Sequence, residues 1–95
     1  MIDTGGTIAK AADALMADGA AGVVIAATHA ILSDPAVDRL KNSPAAEVVV
    51  TNTLPLTDDR EFDKLTCLSI APLLARAIRE VFEDGSVTSM FDGHA

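Results

Sequence analysis

The sequence has 95 residues, of which 49% are hydrophobic and 22% are charged, with a formal net charge of -7. Such a chain forms at most one domain, and its apolar content excludes intrinsic disorder. Seven Lys and Arg against 14 Asp and Glu argue against nucleic-acid and anionic-membrane binding, which basic residues normally mediate. The single Cys67 excludes an internal disulfide and a cysteine-rich zinc site. The sequence has neither a signal-like start nor an apolar run long enough to span a membrane, so we expect a cytoplasmic protein.

The first half of the chain predicts a helix, a strand and a second helix. Apolar residues recur every three or four positions over residues 8–16, which predicts an amphipathic helix that ends at Gly19. The β-branched run over residues 23–27 is typical of a parallel strand covered on both faces. Asp34 and Pro35 then predict the N-cap and first residue of a short helix that ends before Pro44.

The second half of the chain predicts two further strands and a second long helix. Residues 47–52 and 65–70 are strand candidates, separated by a charged segment that we interpret as a solvated loop with Phe62 turned inward. Apolar spacing over residues 70–81 predicts an amphipathic helix, with Pro72 in its first turn.

Alternating helices and strands predict an α/β fold with a mainly parallel sheet. Residues 1–95 form one unit in this interpretation. A glycine-rich turn that opens directly into a helix normally follows a strand in such sheets, but only Met1 and Ile2 precede this one. We therefore expect the leading strand of the sheet to be absent from the chain.

The segment from Asp3 to Thr7 has the most distinctive chemistry of the chain. Gly5 and Gly6 let the backbone turn with its N–H groups exposed, and Thr4 and Thr7 add hydroxyl groups. With the positive end of the following helix dipole, this loop is suited to bind a phosphate. A purely structural helix start capped by Thr4 or Thr7 is the alternative, and the loop matches neither the P-loop nor the dinucleotide-binding pattern.

Other reactive residues have weaker signals. His29 is expected at the carboxyl end of a strand, where ligands bind in open α/β sheets, but a lone histidine without a partner at metal spacing is more often a structural hydrogen-bonding residue. Cys67 lies in an apolar strand, which predicts a buried, inert thiol. Asp58, Asp59 and Glu61 are either a solvated surface or ligands for a divalent cation. His94 is one residue from the end of the sequence and is expected to be mobile.

The loop and the segments that follow it resemble the ribose-phosphate pyrophosphokinases, also called phosphoribosyl pyrophosphate synthetases. Met1-Ile2-Asp3-Thr4-Gly5-Gly6-Thr7 is similar to the second half of their signature V-D-D-M-I-D-T-[AG]-G-T. The loop alone would also suit the type I phosphoribosyltransferases, but essentially the whole chain resembles the synthetases in order. The matching segments are residues 10–20, 27–33, 42–43, 47–56, 73–79 and 86–91.

The resemblance implies transfer of the pyrophosphoryl group of MgATP to the 1-hydroxyl of ribose 5-phosphate, which yields phosphoribosyl pyrophosphate and AMP. It implies that the loop of residues 3–7 binds the 5-phosphate of the sugar. It also implies that Ser86, Thr88 and Phe91 belong to a regulatory site at a subunit interface, where phosphate activates and ADP inhibits. Thr88 replaces a commoner Ser. Members of this family form homo-oligomers, commonly hexamers.

Members of this family are about two domains long, and this chain resembles their C-terminal portion. The portion upstream of Met1 supplies most of the ATP and Mg²⁺ sites, so the resemblance implies a phosphoribosyltransferase-like domain that is inactive by itself. The fold would lack its leading strand and the N-terminal domain, which predicts an uncovered sheet edge and self-association. The alternatives are a non-catalytic regulatory homologue and a phosphoribosyltransferase fragment, although Asp3 is atypical of the latter.

Overall fold

Three helices and three strands alternate along the chain in the computed structural model, which describes residues 1–91 apart from the side chains of Ser89 and Phe91. The α/β class expected from the sequence is confirmed. Two 3-10 turns, Asp58–Arg60 and Val87–Phe91, complete the described chain. The regular elements are α1 (Gly6–Ala17), β1 (Val24–His29), α2 (Ala36–Asn42), β2 (Glu47–Thr51), β3 (Leu65–Leu68) and α3 (Ala71–Phe82).

The three strands form one parallel sheet in the order β1-β2-β3. Ile25 is paired with Val48, and Val48 with Leu65, so these three residues lie on the same face. Because all strands run in the same direction, their carboxyl ends lie at one edge of the sheet. Loops that follow the strands therefore meet at this edge.

Ile2 lies beside the free side of β1, where a preceding strand would pair. It forms an isolated parallel bridge with Ala30, in which the Ile2 N–H donates to the carbonyl of His29 at 3.0 Å. Its own carbonyl accepts the N–H of Ile31 at 3.0 Å. This bridge, with Ile2 only 4% exposed, anchors the start of the glycine-rich loop to the carboxyl edge of the sheet.

The core lies between one face of the sheet and the first two helices. Val48 and Val50 in the central strand are fully buried, and Leu40 of α2 is fully buried in the same cluster. Burial of a Val or Leu side chain contributes about 1.5–3 kcal/mol. The β-branched central strand therefore contributes strongly to the stability of the fold.

The opposite face of the sheet is largely open in the described part of the chain. Val24 is 60% exposed and Leu68 is 53% exposed, so the expectation that the first strand is covered on both faces is wrong here. Cys67 is also exposed, which contradicts the predicted buried thiol. Cys67 pairs with the fully buried Val50, but β3 is an edge strand, so no further strand of the described sheet covers its outer side.

Helix α1 ends as its sequence predicts. Gly19 adopts a φ of +99°, and its N–H donates to the carbonyl of Met16 at 3.2 Å. The N–H of Ala20 donates to the carbonyl of Leu15 at 3.0 Å, which completes a Schellman motif. At the end of α3 the same pattern places Asp84 rather than Gly85 in the left-handed conformation, with a φ of 53°.

The start of α2 differs from the prediction. The helix begins at Ala36, Pro35 occupies the N-cap, and Asp34 makes no capping hydrogen bond. Instead, the Asp34 carboxylate accepts a hydrogen bond from Arg60 at 2.5 Å, and this bond holds the pKa of Arg60 above its ordinary value. The carboxylate therefore ties the 57–64 loop to α2 rather than capping the helix.

The 57–64 loop has the solvated character that its charges predict, and Phe62 is half-buried against the core as expected. Within the loop, the Thr57 hydroxyl donates to the Asp59 carboxylate. This hydrogen bond, together with the nearby Arg60 guanidinium, lowers the pKa of Asp59. The hydrogen bond between Thr57 and Asp59 therefore gives one of the acidic residues of this loop a structural role.

Helix α3 stands apart from the core. Asn52 at the end of β2 accepts the N–H of Ile70, the N-cap of α3, at 2.8 Å. No α3 residue is buried, and the helix packs against the Val87–Phe91 turn, in which Met90 is buried. Its apolar stripe is uncovered, with Ile78 69% and Phe82 85% exposed.

Among residues 1–91, no helix is both long and apolar enough to cross a membrane.

We predict that Gly19→Ala destabilises the fold by about 1–2 kcal/mol, because an alanine must adopt the left-handed conformation there. Gly22→Ala is the matched control, since an added Cβ meets open space at both positions and Gly22 has no positive φ. Urea unfolding of the two variants measures the difference. Equal midpoints would contradict the assigned backbone of Gly19.

We predict that Thr57→Val raises the pKa of Asp59 towards that of an ordinary aspartate, because the hydroxyl donor is lost. The depressed pKa of Asp59 gives stability that is present above its unfolded pKa and is lost as the pH falls through the folded value. NMR titration of the carboxyl carbon in both proteins measures the change. An identical titration curve would show that the hydroxyl does not stabilise the carboxylate.

We predict that the chain self-associates through its uncovered apolar surfaces and that Ile78→Lys weakens this association. Ala14→Lys adds the same charge to an exposed position of α1 and serves as the control. Sedimentation velocity over a range of concentrations measures the association of each variant. A concentration-independent monomer of high thermal stability in the unmodified chain would contradict the prediction.

Candidate functional site

The loop of residues 3–7 connects Ile2 at the carboxyl edge of the sheet to the first turn of α1. Residues 1–8 and Ala11 together line a concavity of about 350 Å³. All five residues of the predicted phosphate loop therefore lie around one space, at the edge where open parallel sheets bind ligands.

Gly5 determines the shape of the loop. It is the N-cap of α1 and adopts a left-handed φ of +76°, which glycine accepts without steric cost. It is buried against α2, and a Cβ at this position would lie 3.5 Å from the Cα of Ala36. That distance is an ordinary van der Waals contact, so the left-handed backbone is what requires glycine at this position.

The N-terminus of α1 lacks the usual protein partners for its N–H groups. No side chain caps it and its first turn has no acidic residue, so the interpretation in which Thr4 or Thr7 caps the helix is wrong. The first N–H groups of a helix have no intrahelical acceptor and carry the positive end of the dipole. The side chains of Thr4 and Thr7 are exposed at the concavity. These groups together can donate hydrogen bonds to an anion.

Arg39 is a site residue that the sequence reasoning missed. Its Nη1 donates to the carbonyl of Thr4 at 3.1 Å, and a Cβ at Gly6 would lie only 3.0 Å from the same nitrogen. Arg39 follows Ala36 by one helical turn, so the same face of α2 contacts Gly5, Gly6 and Thr4. No local sequence signal could have identified it, because the contact joins residues 35 positions apart.

Among residues 1–91, Asp3 is the one carboxylate at this concavity. Its side chain is exposed and forms no ion pair within residues 1–91. A carboxylate can accept hydrogen bonds from hydroxyl groups but repels an anion at close range. Asp3 therefore suits the hydroxyl-bearing part of a ligand better than its anionic part.

His29 has a structural hydrogen bond at the same edge of the sheet. Its Nδ1 lies 2.8 Å from Oγ1 of Thr53, whose hydroxyl also lies 3.3 Å from the carbonyl of Thr28. If the hydroxyl donates to that carbonyl, the His29 Nδ1–H donates to the hydroxyl. His29 does not line the concavity, so the structural interpretation of this residue accounts for its contacts.

The remaining candidates are not brought to the loop. Asp58, Asp59 and Glu61 lie in the 57–64 segment, and no cluster of three potential metal ligands occurs among residues 1–91. Ser86 lies just before the Val87–Phe91 turn that packs against α3, Thr88 lies within that turn, and both are exposed. The side chain of Phe91 and all of His94 lie outside the described residues.

Comparison with known proteins identifies the family of this chain. Residues 1–92 match the family model of the phosphoribosyl synthetase-associated domain. A ribose-phosphate pyrophosphokinase of Streptomyces coelicolor is 67% identical over 92 residues, which cover 97% of this chain and 28% of the relative. The ribose-phosphate pyrophosphokinase of Mycobacterium tuberculosis is 64% identical over 95 residues, 100% of this chain and 29% of the relative.

The fold is also that of a solved structure. The crystal structure of phosphoribosylpyrophosphate synthetase from Mycobacterium smegmatis superposes with a TM-score of 0.84 at 65% identity, over 90% of this chain and 28% of that chain. The chain thus spans less than a third of the length of these relatives. It belongs to the phosphoribosyl synthetase-associated family, and its curated relatives are ribose-phosphate pyrophosphokinases.

Proposed function

We propose that the loop of residues 3–7 binds the 5-phosphate of ribose 5-phosphate, and that the chain is the C-terminal part of a ribose-phosphate diphosphokinase. The observation that carries this proposal is the uncapped N-terminus of α1, which faces a concavity of about 350 Å³ lined by the loop. The family membership supports the choice of a sugar phosphate over other anions.

The electrostatics of the loop favour a phosphate dianion. The helix N-terminus carries a partial positive charge, and neither a capping side chain nor a first-turn carboxylate compensates it. The Arg39 guanidinium adds a full positive charge near Thr4 and Gly6. Asp3 opposes an anion but can accept the hydrogens of sugar hydroxyls, so the sugar would lie towards Asp3 and the phosphate towards Gly5 and Gly6.

In the proposed reaction, the 1-hydroxyl of ribose 5-phosphate attacks the β-phosphorus of ATP, and the bond from that phosphorus to the α-phosphate oxygen breaks. The products are phosphoribosyl pyrophosphate and AMP. Such transfers are catalysed mainly by orientation and charge stabilisation. The contribution of this chain is orientation, because a phosphate held at the loop defines the position of the sugar and hence of its 1-hydroxyl.

The residues described here do not form a complete site for Mg²⁺. Asp3 is the only carboxylate at the concavity, and residues 1–91 contain no cluster of three potential ligands. No step is therefore assigned to a metal ion held by this part of the chain. We propose that MgATP is bound mainly by other parts of the full-length enzyme, and that the 95-residue chain does not catalyse the transfer alone.

The regulatory part of the proposal concerns the C-terminal segment. We propose that Ser86, Thr88 and Phe91 contribute to a phosphate and ADP site at a subunit interface of a cytoplasmic homo-oligomer. Helix α3 packs against the neighbouring turn, but its apolar stripe is uncovered. This exposed stripe supports an interface in this region.

We predict that ribose 5-phosphate shifts the amide resonances of Gly5 and Gly6 and raises thermal stability in proportion to ligand binding. Ribose at the same concentration is the ligand control, because it lacks the phosphate. Thr7→Val removes one hydroxyl donor and should weaken binding by about threefold to tenfold. Thr28→Val makes the same change on an exposed strand position outside the concavity and should leave binding unchanged.

Equal shifts with ribose, or no shift at Gly5 and Gly6 in the folded chain, would contradict the proposed phosphate site. The assay for catalysis is separate: formation of AMP from ATP and ribose 5-phosphate by the chain alone would contradict its proposed inactivity. Binding without turnover is the expected combination.

A further inference from the structure

Arg39 contacts the phosphate loop from outside it. The side chain extends from α2, and its Nη1 donates to the carbonyl of Thr4 at 3.1 Å. The same nitrogen lies so close to Gly6 that a Cβ there would be 3.0 Å away. Thr4 and Gly6 flank the residue with the left-handed backbone, so the guanidinium contacts both sides of the reversal at Gly5.

The charge of Arg39 has no carboxylate partner within residues 1–91. The ion pairs in this part of the chain involve Arg60 and Arg79 instead. A guanidinium presents five N–H donors, and the hydrogen bond to Thr4 uses one of them. The cation therefore lies near the positive end of α1, where both groups would attract an anion.

Arg39 is exposed and lies in the last turn of α2, where the helix dipole favours a cation. Its hydrogen bond to Thr4 joins this turn of α2 to the loop. The hydrogen bond orients the peptide that precedes Gly5. The orientation of that peptide in turn determines where the N–H groups at the start of α1 point.

We infer that Arg39 is a positioning residue that holds the loop of residues 3–7 in its anion-binding conformation through the Thr4 carbonyl. This inference rests on the proposed function of the loop. It assigns a role to α2, which the motif of residues 3–7 does not include. Lysine retains the charge but lacks the planar fork of arginine, so charge and orientation can be separated experimentally.

The experiment compares Arg39→Met and Arg39→Lys with the unmodified chain. Arg76→Met is the matched control, because Arg76 is exposed on α3 and lies outside the concavity. Without ligand, Arg39→Met should accelerate amide exchange at Gly5 and Gly6 while Arg76→Met leaves it unchanged. With ribose 5-phosphate, Arg39→Met should bind about tenfold more weakly, and Arg39→Lys should recover part of that loss.

The urea midpoint separates positioning from general stability. If Arg39→Met lowers the global midpoint and changes amide exchange equally throughout the core, Arg39 is structural and the inference is wrong. Normal loop exchange and normal affinity in Arg39→Met would also overturn it. If Arg39→Met does not fold, the inference is tested by NMR of the unmodified chain. The guanidinium resonances of Arg39 should then shift when ribose 5-phosphate is added, and unchanged resonances would overturn the inference.

A failure of the proposed function gives a different experimental result. If the unmodified chain does not bind ribose 5-phosphate, the phosphate site is rejected. The exchange of Gly5 and Gly6 without ligand then still shows whether Arg39 orders the loop.

Discussion

The left-handed backbone of Gly5, which packs against Ala36, is the constraint on which the candidate site depends. A Cβ at residue 5 would meet Ala36 at an ordinary van der Waals distance, so the positive φ, rather than a lack of space, requires glycine here. The left-handed backbone of Gly5 then reverses the chain so that α1 begins immediately. Because Ala36 is itself fully buried, the position of the loop is defined by the core.

The order and type of the regular elements followed from short-range patterns. The β-branched residues of β2 and the apolar spacing of α1 and α3 are strong local signals, and the observed elements begin and end within a few residues of the predicted bounds. The loop was also predictable, because its glycines, its threonines and the start of the following helix are all recognisable from the local sequence. The family resemblance supplies the ligand proposed for the loop, which composition alone leaves open.

The rest of the site depends on contacts between distant residues. Arg39 has no local pattern that marks it, since its partner Thr4 is brought near by the packing of α2 against the loop. Asp34 has the sequence of an N-cap, but the competing hydrogen bond from Arg60 determines its role. Cys67 has apolar neighbours in sequence, yet exposure in an edge strand is a property of the assembled sheet. Local rules fail at these residues because tertiary partners outweigh them.

The hydrogen bond between Asn52 and Ile70 connects the central strand of the sheet to the C-terminal helix. Helix α3 has no buried residue, and this bond attaches its N-cap to the end of the central strand. Asn52 also forms an isolated bridge with His29 at the end of β1. One asparagine therefore joins the start of the C-terminal helix to the edge of the sheet that bears the loop.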